Sequence, residues 1–319
     1  MNGQPTGARL NRRQQRQIRQ QKIRTTLLSL CIVIILLLVT LAIFLFCAIA
    51  DELNQDTGDH STPPNVDSSL DSSIRYSTIS KNNQEIHVGD LLLVNNDHYF
   101  DPESAQDLIL IDGTQGNPKT YTVAYPSWKL NAATLNAFNK MMGVYYEISG
   151  DGGVKISSAY RSAADQEGKT TPVGYSDHHT GYCLALRKVD GGYLEDTHWI
   201  YENGHRYGFI QRYPNEKADK TYVSDYEYCI RYVGIPHATY MAQNDLCLEE
   251  YVALLRSSYT GSNQLSITGG DGKSYEVYYV NASAESVTSL EVPQNYAFTI
   301  SGDNVGGFIV TVDLSQRLA

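Results

Sequence analysis

Adjacent histidines in the stretch SDHHTG (His178 and His179), an arginine at 161, and cysteines at 183, 229 and 247 are the side chains that could hold a metal ion or an anionic group. Their spacing does not by itself make a site. Neighbouring residues of an extended segment face apart, so His179 is expected to point to solvent or to a rim while His178 points inward. His198 and His205 fall on a helical stretch and read as surface residues. His237, in IPH at a helix start, reads as a capping or exposed residue, and His60 lies in a polar stretch where it is solvated. Five cysteines (Cys31, Cys47, Cys183, Cys229, Cys247) are too few for a disulfide scaffold.

The elements that would position these residues can be read from periodicity. Apolar residues at 132, 135, 138, 142 and 145 recur at helical spacing behind Asn131, which predicts a capped helix over Asn131–Tyr146. Val154–Ser157, Cys183–Leu186 and Ile230–Val233 read as strands. Asp196–Tyr207 reads as a helix with Trp199 and Tyr207 inward, and Glu249–Leu255 lies in a closing helix. Strands and helices mixed without regular βαβ alternation indicate an α+β domain, here a small antiparallel sheet with flanking helices. Beyond Thr260 the pattern becomes that of hairpins. Gln264–Thr268 and Tyr275–Val280 flank GGDGK, and Ala297–Ser301 and Gly307–Val312 flank GDNVG, so residues 260–319 are expected to form a small all-β module. Such a module could bind a partner or pack against the main domain. The 24 tyrosines, none of them before residue 51, suit its strands as well as a sugar platform.

Composition narrows the class of function. With 42% hydrophobic and 19% charged residues, the 319-residue chain is neither wholly disordered nor collagen-like. The first 50 residues carry seven basic and no acidic side chains. The remainder therefore holds 18 basic against 35 acidic groups, and a body that acidic repels a phosphate backbone, which argues against nucleic-acid binding. Thr25 to Ala50 is uncharged, long enough at about 1.5 Å per residue to cross a bilayer core of about 30 Å. Basic residues before it and Asp51–Glu52 after it predict a cytoplasmic tail over 1–25, a transmembrane helix over 26–50, and an extracellular remainder of a single-pass protein. A cleaved signal peptide ending at Ala48-Ile49-Ala50 and a lipid-modified Cys47 compete, but an apolar core of about 20 residues exceeds the roughly 7–15 of a signal peptide. Residues 51–82 read as a disordered, Ser/Thr/Asp-rich stalk.

Four ordered stretches, SAYRSAADQ (158–166), GYSDHHTGYCLAL (174–186), HWIYENGHRYGFIQRYP (198–214) and YEYCIRYVG (226–234), resemble the VanY-type D-alanyl-D-alanine carboxypeptidases, zinc peptidases that trim peptidoglycan stem peptides. With the approach from GDLLLVN (89–95), the resemblance covers roughly residues 85–257, within a carboxypeptidase-like α+β domain over 83–259. It implies a metal at one end of an antiparallel sheet, held by a His, an Asp seven residues later and a distant His, with a Glu three residues before that second His as general base. It also implies an Arg that steadies the substrate. Carried across, the Arg is Arg161 and the first His is His178, with Ser176 beside it in the motif. The Asp position holds Ala185, the second His position Cys229 and the Glu position Tyr226. Glu227 stands one residue away, facing the opposite side of an extended segment. The resemblance is therefore to a family member with a degenerate metal site.

Three readings of the cysteines follow from that correspondence. Cys183 stands two residues before Ala185 and so on the same strand face, toward Cys229. The pair is expected to form a disulfide across the vacated site; the rival is a soft metal site of His178, Cys183 and Cys229, and free thiols with Cys247 as another pairing partner stay open. The resemblance implies an extracytoplasmic domain that binds stem peptide, or a cell-wall protein, through Arg161, Ser176 and His178 as a pseudoenzyme without a cofactor. An active zinc DD/LD-carboxypeptidase with substituted ligands and a structural cell-wall interaction module are the alternatives.

Overall fold

Alternating burial along short segments and well-marked helix caps set the elements. The computed structural model describes residues 74–111, 120–195 and 198–318. In chain order the strands are β1 (Tyr76–Asn82), β2 (Leu108–Leu110), β3 (Thr122–Val123), β4 (Lys129–Asn131), β5 (Val154–Ser158), β6 (Cys183–Lys188), β7 (Phe209–Gln211), β8 (Cys229–Tyr232), β9 (Leu265–Thr268), β10 (Ser274–Asn281), β11 (Val287–Pro293), β12 (Tyr296–Gly302) and β13 (Gly307–Arg317). The α-helices are α1 (Ala132–Ser149), α2 (Ala163–Gln166), α3 (Trp199–Asn203), α4 (Ala218–Thr221), α5 (Ile235–Gln243) and α6 (Leu248–Ser258). The expected tail over 1–25, the spanning helix over 26–50, His60 and the stalk up to residue 73 lie outside the described residues. Among the described residues no helix is long and apolar enough to cross a membrane.

The central sheet runs β3-β5-β6-β8-β7. Side-chain alternation gives it two unlike faces. Leu184 and Leu186 of β6 and Ile230 of β8 pack with Val154 and Ile156 against Leu135, Phe138, Met141 and Met142 of α1. Each such side chain contributes about 1.5–3 kcal/mol on burial, so this face, rather than local propensity, holds α1 in place. Asn131 caps the helix by accepting from the Ala133 N–H, as its position predicts. Cys183, Ala185 and Cys229 project from the opposite face and form a separate cluster with Tyr213. The sheet is not purely antiparallel, because β3 pairs with β5 in parallel. The chain between them includes the 18-residue α1, a crossover long enough to bring the next strand in with the same direction.

At the ends of the domain one expectation is corrected and one choice between alternatives is decided. The polar composition of 51–82 suggested a stalk throughout, but β1 pairs with β11 from Tyr76↔Pro293 to Asn82↔Val287. Its alternating exposure turns Ile79 onto an apolar cluster with Leu290 and Val292. That partner lies some 200 residues away, where local composition cannot register it. The hairpins after Thr260 form a sheet of order β12-β13-β10-β9, yet it does not stand apart. Val277 and Tyr279 of β10 and Ile309 of β13 share one core with Leu91, Leu93, Met241 of α5 and Leu255 of α6, while Tyr278 and Val310 on the other face pack toward β11. His237 pins the same junction. It is buried, not exposed, and its ring nitrogens share hydrogen bonds with the Tyr251 hydroxyl (2.7 Å) and with Thr311 Oγ1 of β13 (3.0 Å). Burial alone draws its pKa down to about 3, so it is neutral.

Candidate functional site

The turn that carries the two histidines is built by charge. Asp177–Thr180 is a single 3-10 turn closed by Gly181, which takes a left-handed φ of +76° and whose missing Cβ leaves room for Leu108. Asp177 points away from solvent into an ion cluster: its Oδ2 accepts from Arg212 Nε at 2.6 Å and its Oδ1 lies 3.1 Å from Arg231 Nε, all three side chains having no exposed surface. Arg212 is forked onto Glu249 as well, at 3.0 and 2.8 Å. Arg212 Nη2 also donates to the Val94 carbonyl and Arg231 Nη2 to that of Leu92, which ties the GDLLLVN approach to the turn. His179 is buried too, contrary to the strand argument. In a 3-10 turn successive side chains do not alternate, and its Nδ1 donates to the Arg161 carbonyl (2.7 Å) while Nε2 accepts from the Gly174 N–H (3.1 Å). It therefore shapes the loop rather than serving as a ligand.

His178 faces the side of the sheet that carries Cys183, Ala185 and Cys229. Its Nε2 lies 3.6 Å from Cys229 Sγ, and one donor atom from each of His178, Cys183 and Cys229 lies within 4.8 Å of the others. All three residues are buried. Burial, assisted by the Arg161 cation, draws the His178 pKa down to about 3, and burial with the neighbouring Cys183 pushes the Cys229 thiol up, so His178 and Cys229 are neutral. The expected disulfide is not present: Cys183, Cys229 and Cys247 are free. Register gives the reason. Ala185 is the residue opposite Cys229, and Cys183 is opposite Arg231, so the two cysteines are diagonal neighbours. Diagonal positions stand about 7–8 Å apart, at or beyond the Cα separation that a disulfide tolerates.

Arg161 sits at the mouth of this group. Its Nε and Nη2 donate to Ser158 Oγ (3.1 and 2.8 Å), Nη1 to Gln166 Oε1 (3.2 Å) and Nη2 to the Tyr226 hydroxyl (3.3 Å). Ser158 is offered by a bulge in β5, and Gln166 by α2, whose start is closed by a Ser162–Asp165 capping box. Arg161, Ser176, His178 and Tyr226 line one cavity of about 200 Å³, together with Lys169, Thr171 and Tyr213. The Tyr226 ring meets His178 edge-on at 6.4 Å, and packs edge-on against Tyr213 and at a tilt against Tyr228. Burial raises its phenol pKa further, which leaves a hydroxyl and no base. Glu227 is in a turn before β8 and is not among the lining residues. Among the described residues no aspartate or glutamate lines the cavity, while two cations, Arg161 and Lys169, do.

The structure thus brings Arg161, Ser176, His178, Tyr226 and the Cys183–Cys229 pair together and leaves Glu227 and His179 out. Asp177, Arg212, Arg231 and Lys169 complete the surroundings without having been anticipated. Asp177 had a signal, an acid beside the retained histidine; Lys169 had none, being one lysine in a polar loop.

The zinc set implied by the resemblance does not fit these residues. The methyl of Ala185 supplies no donor where the Asp should stand, and it faces Cys229 across the sheet. Comparison with known proteins bears on the lineage. The family model VanY, D-alanyl-D-alanine carboxypeptidase, matches residues 169–235. A D-alanyl-D-alanine carboxypeptidase of Enterococcus faecium is 30% identical over 271 residues, spanning 78% of this chain and 85% of the relative. The bifunctional D-Ala-D-Ala dipeptidase and carboxypeptidase VanXYC of Enterococcus gallinarum is 44% identical over 88 residues, 24% of this chain and 46% of its own. Among solved structures, the vancomycin resistance D,D-dipeptidase VanXYg, in complex with a D-Ala-D-Ala phosphinate analog, superposes with a TM-score of 0.62 at 25% identity, covering 75% of this chain and 99% of that one. With the motifs in order, the fold shared and a relative matched over most of both chains, this protein belongs to the VanY family of D-alanyl-D-alanine carboxypeptidases.

Proposed function

We propose that the chain is a membrane-anchored, extracytoplasmic peptide-binding member of its family, which captures the D-alanine end of peptidoglycan stem peptides and leaves the peptide bond intact. One observation carries both halves of this reading: the cavity lining holds Arg161 and Lys169 and no carboxylate. In a body with a large acidic excess, a pocket with two cations and no acid suits a peptide's terminal carboxylate, and Arg161 is held in place for it by Ser158 and Gln166. The anionic dipeptide mimic in VanXYg supports the same ligand class. The same absence removes the general base, worth on the order of 10²–10⁴ in rate, and Ala185 removes an anionic ligand besides. The anchor rests on the basic residues before Thr25 and the uncharged run to Ala50.

The test is calorimetric titration of the full chain with a stem pentapeptide ending in D-Ala-D-Ala, alongside an assay of released D-alanine. Binding without release is expected. Arg161→Ala should weaken binding by on the order of 10-fold or more, the worth of a charged hydrogen bond. Stoichiometric release of D-alanine with turnover would overturn the reading, as would equal affinity of the variant.

A further inference from the structure

We infer that His178, Cys183 and Cys229 form a binding site for one thiophilic divalent cation, with a ligand set that the family's motif does not contain. The three donor atoms are spaced as three corners of a tetrahedral site would need. Bond lengths of about 2.3 Å to sulfur and 2.0–2.1 Å to nitrogen require an N···S edge of about 3.6 Å and an S···S edge of about 3.8 Å. His178 Nε2 and Cys229 Sγ already stand 3.6 Å apart, and the donor atoms of the trio all lie within 4.8 Å of one another. A small rotation of the cysteine side chains closes the remaining edges.

Register explains how a third donor arises where the carboxylate is gone. Cys183 precedes Ala185 by two residues on β6, and both project to the face that carries Cys229. The donor has moved one strand repeat along the same face. Chemistry then selects the ion. Two sulfurs and an imidazole, with no oxygen among the three, favour zinc-like cations over magnesium or calcium. Binding releases the two thiol protons to solvent, and the two thiolates left behind cancel the charge of a divalent cation, so the loaded centre is neutral and compatible with its burial. Entry is through the Arg161 cavity, which His178 itself lines. The neighbouring Tyr226 offers no carboxylate, so the ion would organise the floor of the peptide pocket rather than hydrolyse what sits in it. The inference shares its location with the proposed peptide site but is read by a different experiment.

The full chain is purified under reduction, stripped with a chelator and titrated with Co(II), then Zn(II). One cobalt per chain is expected, with a thiolate-to-cobalt charge-transfer band in the near ultraviolet, the intense visible absorption of a tetrahedral centre, and displacement by zinc. Cys183→Ser and Cys229→Ser should each weaken binding by on the order of 100-fold or more, beyond the 10–100-fold that even outer partners of a metal contribute, while Cys247→Ser leaves it unchanged. A weak octahedral spectrum without the charge-transfer band in the unaltered chain overturns the inference, whether or not the variants fold. So does a Cys183→Ser chain that binds as tightly as the original. Metal uptake with no peptide binding would sink the proposed function and leave this site standing; the converse result would do the opposite.

Discussion

Asp177→Asn isolates the charge that holds the His178 turn. The cluster contains two arginines, Asp177 and Glu249, with no exposure at Asp177, Arg212 and Arg231 and 12% at the Glu249 side chain. Two positive charges meet two negative ones. Asparagine preserves the shape and still offers an oxygen to Arg212 Nε, but its amide NH2 takes the place of the oxygen 3.1 Å from Arg231 Nε, so the substitution removes a charge, leaves an excess buried cation and sets a donor against a donor. Breaking a buried pair in this way costs about 3–5 kcal/mol, against a total stability of about 5–15 kcal/mol. For a domain of this size each kcal/mol moves Tm by about 2–4 °C, so a fall of about 6–20 °C is expected. Thermal unfolding of the full chain followed by far-ultraviolet circular dichroism measures it. Lys188→Gln serves as the comparison, because its ion pair with Glu195 is 39% and 64% exposed and is screened by solvent. A decrease no larger than that of Lys188→Gln would refute the claim that buried charge, rather than backbone hydrogen bonding, holds the turn.

Two more outcomes follow from the same structure. His178 and His237 have pKa values drawn to about 3, so between pH 6.5 and 3 the unfolded chain takes up protons that the folded one refuses, and stability is lost as pH falls through that window. At pH 5 each costs about 2 kcal/mol, and Asp90, raised to about 6 by burial, takes up its proton in the folded state and returns about 1 kcal/mol. Urea midpoints should therefore show a net loss of about 2–3 kcal/mol from pH 7 to pH 5, partly relieved in His237→Gln; equal stability at both values would contradict the assignment. Deleting the chain through Asn82 removes β1 and uncovers Leu290 and Val292, each worth about 1.5–3 kcal/mol of burial, along with the open edge of β11. Sedimentation velocity should then detect self-association, and a monomer with unchanged Tm would show that β1 is dispensable.

Much of the domain was legible because its signals are local. The Asn131 cap and the 3.6-residue spacing behind it sufficed for α1, and the alternation at Cys183–Leu186 placed a strand with its cysteine and Ala185 on one face. The Gly/Asp turns after residue 264 marked both C-terminal hairpins. The histidines were legible only in part. His179 and His237 were expected at the surface because nothing beside them in the chain reports the Arg161 carbonyl or Thr311, 74 residues away, that satisfy them.

Residue identity alone determined that an aspartate, a histidine and a glutamate are absent from a metalloenzyme pattern, since no fold can give Ala185 a lone pair. Only the tertiary structure decided what took their place. Strand register set Cys183 diagonal to Cys229, unbonded and next to His178, and the ion cluster under Asp177 fixed the turn that brings the imidazole there. Which donors are missing is a property of single residues; which donors meet depends on pairings between strands and charges far apart in the chain.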